Sequence, residues 1–264
     1  MLKIQAIASG SNGNSVLISD GQTNILIDTG ISAKRIAAEL VASGVFPSEI
    51  SAVFITHEHT DHIAGLRVFS GKFDVPVYAS EGTFYGIEQK DPKYVSCKEN
   101  RHYISAGEPV QIGSLTILPF STSHDAECPL AYRVSSADTT AVLFTDSGIC
   151  TEEMKNYLVD ADILYLESNH DVHMLEVGSY TYSLKRRVLS CFGHLSNDDA
   201  AEVLESVISP KLKLLILAHL SEENNYPELA RVNMYNKLKE LGREQDVRLI
   251  VAERYSKTEF FQIG

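Results

Sequence analysis

The segment Thr56–His62 constrains the fold of this chain more than any other feature of its sequence. It reads T-H-E-H-T-D-H, so three histidines and one aspartate lie within six residues. The preceding run Ala52–Thr56 predicts a buried strand, and His57 and His59 can point the same way as the chain leaves it. Imidazole and carboxylate groups suit zinc, manganese and iron. The segment therefore predicts a metal site at the end of a strand.

Asp61 and His62 are offset from the first two histidines and suit a second ion. One segment cannot supply all the ligands of two ions, so further ligands are expected elsewhere in the chain. Three further candidates each follow an apolar run that predicts a strand. They are His124 after Leu115–Phe120, Asp146 after Ala141–Phe144 and His219 after Leu214–Leu217. A lone histidine after a strand is usually a hydrogen-bonded loop residue. Four such segments in one chain indicate instead a shared site for two metal ions.

The composition is that of a globular protein with an acidic balance. Lys and Arg number 23 against 35 Asp and Glu, a net charge of −12, and 44% of residues are hydrophobic. This charge argues against non-specific adhesion to nucleic acid or anionic membrane, although bound metal ions reverse the field of one cleft. No apolar run of about 18 residues predicts a membrane span, and no signal peptide is evident. We expect a cytoplasmic protein without a membrane partner, and a homo-oligomer is left open.

The cysteines and the order of predicted elements complete this picture. The four cysteines form no C-x-x-C pair and are expected to be reduced thiols; they are Cys97, Cys128, Cys150 and Cys191.

Apolar and β-branched runs predict twelve strands: Leu2–Ala8, Ser15–Ser19, Asn24–Asp28, Ala52–Thr56, Val75–Ala79, Pro109–Ile112, Leu115–Phe120, Leu130–Ser135, Thr140–Thr145, Ile163–Glu167, Leu212–Ala218 and Arg248–Ala252.

Helical spacing predicts five helices: Ser32–Ser43, Ile63–Phe73, Tyr180–Cys191, Asn197–Ile208 and Tyr226–Leu241. Ser196 is the expected N-cap of the fourth, with Asp199 as its capping-box partner. Strand-rich halves with helices outside indicate an α/β fold of four layers, two mixed sheets face to face between helices. No linker divides the chain, which predicts one domain over residues 1–264.

The H-x-H-x-D-H segment and the later His, Asp and His motifs resemble those of the metallo-β-lactamase superfamily, in the same order along nearly the whole chain. The resemblance implies two ligand sets. His57, His59 and His124 would hold one metal, Asp61, His62 and His219 the other, with Asp146 bridging them. Members that reduce oxygen at a diiron site carry Glu at the place of His59, so histidine there favours a hydrolase.

Two more segments resemble the Glu and His motifs of tRNA 3′-processing endonucleases (RNase Z) and related phosphodiesterases. Glu167 ends the strand of A-D-I-L-Y-L-E-S-N-H, and His194 precedes a helix in G-H-L-S-N-D-D-A-A. In that family the pair is tied to proton transfer to the leaving oxygen, since a carboxylate orients the imidazole and makes it more basic. A purely structural His–Glu hydrogen bond is the alternative.

Finer matches resemble one bacterial family, YycJ/WalJ. They are the opening A-S-G-S-N-G-N-S, the run S-L-K-R-R, the segment G-H-L-S-N and the segment H-L-S-E-E-N-N. The resemblance implies a 5′→3′ DNA exonuclease with two divalent metals, zinc or manganese, iron being a further candidate. Neither the long arm of RNase Z nor room for the domain inserted in β-CASP nucleases is evident.

Five residues are candidate substrate contacts. Backbone N–H groups around Ser11 and Asn12 could cradle a phosphate, with a tight inter-strand turn as the equal alternative. Asn169 and His170 follow Glu167, and Arg186 lies in the basic run Lys185–Arg187, whose default interpretation is a solvated helix face.

The predicted reaction is phosphodiester hydrolysis by water that two metals activate, with Asp61 orienting the nucleophile and His194, held by Glu167, as the acid. The substrate is predicted to be DNA with a 5′ end. The first alternative is a phosphodiesterase for small cyclic or nucleotide diesters. The second is a non-enzymatic, metal-binding accessory of a regulatory complex.

Overall fold

Two seven-stranded sheets form the centre of the structure, a computed structural model that describes residues 1–91, 93 and 100–264. The first sheet contains Leu2–Ala8 (β1), Ser15–Ser19 (β2), Asn24–Ile27 (β3), Ile50–Phe54 (β4), Val77–Ala79 (β5), Arg101–Tyr103 (β6) and Phe261–Ile263 (β14). The second contains Val110–Ile112 (β7), Leu115–Ser121 (β8), Leu130–Ser136 (β9), Thr139–Phe144 (β10), Ile163–Glu167 (β11), Leu214–Ala218 (β12) and Arg248–Val251 (β13).

Each sheet is antiparallel on one side and parallel on the other. The first has the order β14-β1-β2-β3-β4-β5-β6, and its strands become parallel from β3 to β6. The second has the order β13-β12-β11-β10-β9-β8-β7, with β10 to β13 parallel. Parallel strands end at the same sheet edge. The loops after β4, β10, β11 and β12 therefore lie where ligands collect in such sheets.

The inner faces of the sheets make a continuous apolar core. Alternate residues of the strands contribute to it, for example Ile4 and Ala6 of β1 and Leu214 and Ile216 of β12. Tyr132 is fully buried in this core and donates a hydrogen bond to the carbonyl of Ile55 across the sheets (2.5 Å). This bond ties the second sheet to the end of β4, from which His57 follows.

Helices cover the outer faces. The first sheet is covered by Ala33–Ala42 (α1), Leu66–Phe73 (α3) and Glu81–Lys90 (α4), and Thr60–Ile63 (α2) precedes α3. The second is covered by Glu152–Leu158 (α5), Asn197–Val207 (α8) and Pro227–Glu240 (α9), while Val172–Val177 (α6) and Tyr182–Val188 (α7) lie in one connection. The amphipathic spacing explains the packing, since α1 buries Ile36 and Leu40 and α8 buries Ala200 and Leu204.

The four-layer prediction is confirmed, and the differences are local. The predicted helix Ile63–Phe73 is divided at Gly65, where a side chain would meet the carbonyl oxygen of Ile31 at 2.2 Å. The predicted helix Tyr180–Cys191 begins only at Tyr182, because Thr181 caps it by accepting from Leu184 N.

The elements that were not predicted include α2, α4, α5, α6, β6 and β14. The last strand is consequently not Arg248–Ala252, because the three residues of β14 pair with β1. Cys97 lies outside the described residues, and the other three cysteines are free thiols, as expected. Among the residues described, no helix has both the length and the apolar character to cross a bilayer.

Replacing Ser196 by Ala is expected to lower the free energy of unfolding by about 1 kcal/mol. Ser196 Oγ accepts from Asp199 N (3.1 Å), and the Asp199 carboxylate accepts from Ser196 N (3.0 Å), which satisfies two backbone donors at the start of α8. Urea unfolding monitored by circular dichroism measures the effect. Ser206→Ala, in the same helix away from the cap, is the control, and equal stability of both variants would contradict the capping role.

Candidate metal centre

Side chains from four separate loops converge beyond the ends of the strands. His57, His59 and His124 form one group, and Asp61, His62 and His219 form another; within each group, candidate ligand atoms lie within 4.8 Å of one another. The rings of His57 and His62 have centroids 4.1 Å apart, which joins the two groups. All of these residues except His59 and Asp61 are buried. The structure thus brings together the segments that the sequence analysis selected.

Asp146 lies between the two groups. One carboxylate oxygen is 3.5 Å from His62 Nε2, and the other is 3.8 Å from His124 Nε2 and 3.4 Å from His219 Nδ1. The backbone of Asp146 is left-handed (φ 57°), as is that of His219 (φ 55°). Such conformations are uncommon outside glycine and accumulate at functional sites. They turn both side chains into the cluster where β10 and β12 end.

The donor set fits divalent metal ions. His57 Nε2 and Asp146 Oδ2 are buried and have no hydrogen-bond partner among the described residues. Buried polar atoms are rarely left unpaired, because desolvation without a partner is costly. Nitrogen and carboxylate oxygen donors converge here, which is the chemistry expected of a zinc or manganese site.

A second layer of contacts orients the candidate ligands. His124 Nδ1 donates to the carbonyl of Gly193 (3.0 Å), which leaves Nε2 with its lone pair toward the cluster. The Asp28 carboxylate lies 2.7 Å from His62 Nδ1 and also accepts from Thr56 N and Oγ1. Asp28, whose φ is 61°, therefore fixes the ring of His62.

Sequence reasoning missed Asp28 and the role of Asn14. Asn14 Nδ2 lies 3.1 Å from His62 Nε2 and 3.3 Å from Asp61 Oδ2, so it supports the second group. A signal for Asp28 was present, because it directly follows an apolar strand, as the candidate ligands do. The role of Asp28 depends on its contact with His62, which is 34 residues away in sequence. Local spacing of residues does not reveal such a contact.

Glu167 and His194 form the predicted pair beside the cluster. Glu167 Oε1 lies 2.7 Å from His194 Nδ1 and 3.0 Å from His219 Nδ1, while Oε2 accepts from Ser147 N and Leu195 N. Glu167 is fully buried, whereas the side chain of His194 is 14% exposed. His194 thus reaches the surface of the cleft, and its role as an acid stays a prediction.

The electrostatics separate the histidines into two classes. Burial holds the pKa of His57 well below its usual value and lowers that of His59 to about 4, so both rings are neutral at pH 7. Burial also acts on His62 and His219, but nearby carboxylates outweigh it. Asp28 and Asp61 raise the pKa of His62, and Asp146 and Asp61 raise that of His219 to about 10.

Because the pKa values of His62 and His219 are raised, both rings carry a proton when no metal ion is bound. These protons offset part of the negative charge of the carboxylates in the cleft. Metal ions compete with these protons for the same nitrogen atoms, so metal binding releases protons and strengthens as the pH rises. Asp61 and Asp146 remain ionised, since neighbouring histidines lower the pKa of both carboxyl groups even though burial acts in the opposite direction.

The predicted substrate contacts lie in two different settings. Asn169 is buried and donates to the carbonyl of His219 (2.8 Å), and His170 is buried with neither ring nitrogen bonded in the described part of the chain. Ser11 and Asn12 are exposed, and Asn12 Nδ2 donates to Glu222 (2.7 Å). Contact of these four residues with a substrate stays a prediction.

The basic run is only partly available to a ligand. Lys185 donates to the carbonyls of Glu176 and Gly178, and Arg187 forms a bidentate ion pair with Asp125. Arg186 is exposed and lies over the ring of Tyr182 (5.9 Å). Of the three, Arg186 is the side chain without a hydrogen bond or ion pair in the described structure, and its substrate contact remains a prediction.

Comparison with known proteins gives the family. A model described as a beta-lactamase superfamily domain matches residues 23–219. Over 238 residues the chain is 39% identical to exodeoxyribonuclease WalJ of Streptococcus pneumoniae, covering 89% of this chain and 88% of that protein. The chain belongs to the WalJ/YycJ family of the metallo-β-lactamase superfamily.

Two further matches agree with this assignment. Exodeoxyribonuclease YycJ of Bacillus anthracis is 37% identical over 241 residues, 91% of this chain and 90% of that protein. The crystal structure of the metallo-β-lactamase fold protein YhfI from Bacillus subtilis superposes with a TM-score of 0.71 at 18% identity, over 98% of this chain and all of that one. The second likeness concerns the fold alone. The family and fold predictions are confirmed.

Asp28→Asn is expected to weaken zinc or manganese binding about tenfold, because second-layer carboxylates orient ligating histidines. Competition with a chromophoric chelator measures the dissociation constant at fixed pH. The matched control is Asp74→Asn, since Asp74 also has a left-handed backbone (φ 53°) but caps α3 away from the cluster. An unchanged affinity in Asp28→Asn would show that His62 needs no carboxylate support.

Proposed function

We propose that this protein is a metal-dependent phosphodiester hydrolase that removes nucleotides from DNA, starting at a 5′ end. The observation that carries the proposal is that the buried carboxylate of Glu167 contacts both His194 and His219, which joins the predicted acid pair to the second histidine–aspartate group. The curated relatives WalJ and YycJ, which cover most of this chain, are named exodeoxyribonucleases. Their names support the substrate class.

In this proposal His57, His59 and His124 hold one divalent ion, Asp61, His62 and His219 hold a second, and Asp146 contacts both. Zinc or manganese fits the donor atoms, with iron as a further candidate. When bound, the two ions lower the pKa of water and offset the negative charge of the phosphate. In this proposal Asp61 orients the attacking water, which its exposure supports, because 22% of its side chain is exposed, more than of Asp146.

His194 supplies the proton for the leaving oxygen. Glu167 accepts from its Nδ1, which orients the ring and leaves Nε2 to face the substrate. Burial opposes ionisation of Glu167, but His194 and His219 outweigh it and lower the pKa of this carboxyl, so the ionised form persists at neutral pH. The negative charge of Glu167 strengthens its hydrogen bond to His194 Nδ1 and so fixes the ring.

His194→Ala is expected to lower kcat on DNA by about 10²–10⁴, the usual contribution of a general acid. It should change turnover of bis(p-nitrophenyl) phosphate far less, because p-nitrophenolate leaves without a proton. Initial rates on both substrates at equal metal occupancy make the comparison. His102→Ala, at an exposed histidine of β6, is the control. An equal loss on both substrates would show that His194 is not the acid.

The polarity can be read from end-labelled DNA. Single- and double-stranded substrates labelled at the 5′ or the 3′ end are incubated with added Mn²⁺ or Zn²⁺. We expect stepwise release of mononucleotides from the 5′ end. Release from the 3′ end or internal cuts would overturn the polarity. Turnover confined to cyclic or mononucleotide diesters would favour a small-molecule phosphodiesterase instead.

A further inference from the structure

The loop Ser190–Gly193 presents an aromatic side chain at the rim of the candidate metal centre. Phe192 is 56% exposed and precedes His194 by two residues. We propose that Phe192 is the stacking surface for the base of the nucleotide that is removed, next to the acid that protonates its oxygen. This inference rests on the proposed DNA hydrolase function and adds a contact for the terminal nucleobase.

The backbone of this loop is held firmly against a candidate metal ligand. Three successive carbonyls, of Cys191, Phe192 and Gly193, accept from Ser123 Oγ (2.7 Å), Asp125 N (3.2 Å) and His124 Nδ1 (3.0 Å). All three of these hydrogen bonds come from Ser123–Asp125, the segment that contains His124. The position of Phe192 is fixed relative to the cluster, so its exposure does not result from a loose loop.

Gly148 allows the segment after β10 to approach the backbone of the loop Ser190–Gly193 closely. A Cβ atom at Gly148 would lie 2.3 Å from the carbonyl oxygen of Ser190 and 2.4 Å from the carbonyl carbon of Cys191. Gly148 follows Asp146 by two residues, so the loop that contains Asp146 directly contacts the loop that precedes His194. Next to this contact, Ile149 and Leu189 expose apolar side chains on the same two segments.

The chemistry of this rim matches a nucleobase better than a free phosphate or a protein partner. Single exposed apolar residues are common, but here an aromatic ring and two aliphatic side chains are exposed on two touching segments that also carry Asp146 and His194. Arg186, which has no ion pair in the described structure, lies on the preceding helix α7 and is the cationic side chain available beside this loop. Aromatic stacking combined with nearby cations is the usual means of holding a single strand, because every base has a π face.

The bond that breaks determines which nucleotide lies next to His194, and therefore which base Phe192 contacts. In the reaction as we write it, a water oxygen forms a bond to phosphorus and one proton of that water goes to solvent. The bond from phosphorus to O3′ of the terminal nucleotide breaks, and the proton from His194 goes to that O3′. His194 then takes up a proton from solvent. The phosphate stays on the shortened strand. The nucleotide next to His194 is thus the one removed, and Phe192, two residues away, contacts its base.

The test combines protein variants with an abasic substrate. Phe192→Ala is expected to lower kcat/KM on single-stranded DNA about tenfold, as stacking of one base contributes. Phe192→Trp should retain activity, since it keeps an aromatic face. The control is Phe46→Ala, an equally exposed phenylalanine (62%) before the amino end of β4, whereas the metal centre follows the carboxyl end. Removing the 5′-terminal base should slow the wild type by a similar factor and leave Phe192→Ala without further loss.

A binding measurement adds a readout independent of turnover. DNA with 2-aminopurine at its 5′ end is bound to metal-loaded protein that carries His194→Ala, so that cutting is slow. Its fluorescence should be quenched by this protein and by the same protein with Phe46→Ala, but not by the same protein with Phe192→Ala. Equal kcat/KM of Phe192→Ala and Phe46→Ala on intact DNA, or a full effect of Phe192→Ala on abasic DNA, would overturn the stacking role. If wild type hydrolyses bis(p-nitrophenyl) phosphate but never DNA, the proposed function fails and this inference fails with it.

Discussion

A single buried carboxylate connects the parts of this site. Glu167 lies at the end of β11 with no exposed surface, and its two oxygens contact His194, His219 and the backbone N–H groups of Ser147 and Leu195. An ionised group in such surroundings is stable only if its hydrogen bonds and opposing charges replace the water that it has lost. That requirement fixes the positions of three loops at once. The candidate ligand His219 and the candidate acid His194 therefore share one orienting group.

The same carboxylate shows why a fold of two mixed sheets suits this chemistry. No local stretch of chain could surround Glu167, because its partners are 20 to 52 residues away in sequence. The parallel strands β10, β11 and β12 deliver Asp146, Glu167 and His219 to one edge, with the strand register setting their spacing. The core between the sheets then needs only apolar residues, since the polar groups of the site all follow the strand ends.

Much of the fold and the cluster could be predicted because the relevant signals are local. Long apolar runs identified the central strands, and dense His and Asp residues after them identified the segments that meet. Contacts that depend on tertiary structure could not be predicted in this way. Asp28 and Asn14 act on His62 from 34 and 48 residues away, and the run Lys185–Arg187 reads as one basic patch although Lys185 and Arg187 have partners within the protein. Short elements such as β6 and β14 have too few residues to show a period.

Three side chains of the site, Asp28, Asp146 and His219, are attached to left-handed backbone. Aspartate, asparagine and histidine tolerate this conformation better than other residues with a Cβ, while β-branched residues are strongly disfavoured there. Any attempt to redesign the metal preference of this centre is therefore restricted twice at these positions, by donor chemistry and by backbone geometry. Changes of metal specificity are more accessible at His59, where the backbone is extended (φ −64°, ψ 148°) and any residue with a Cβ can adopt it.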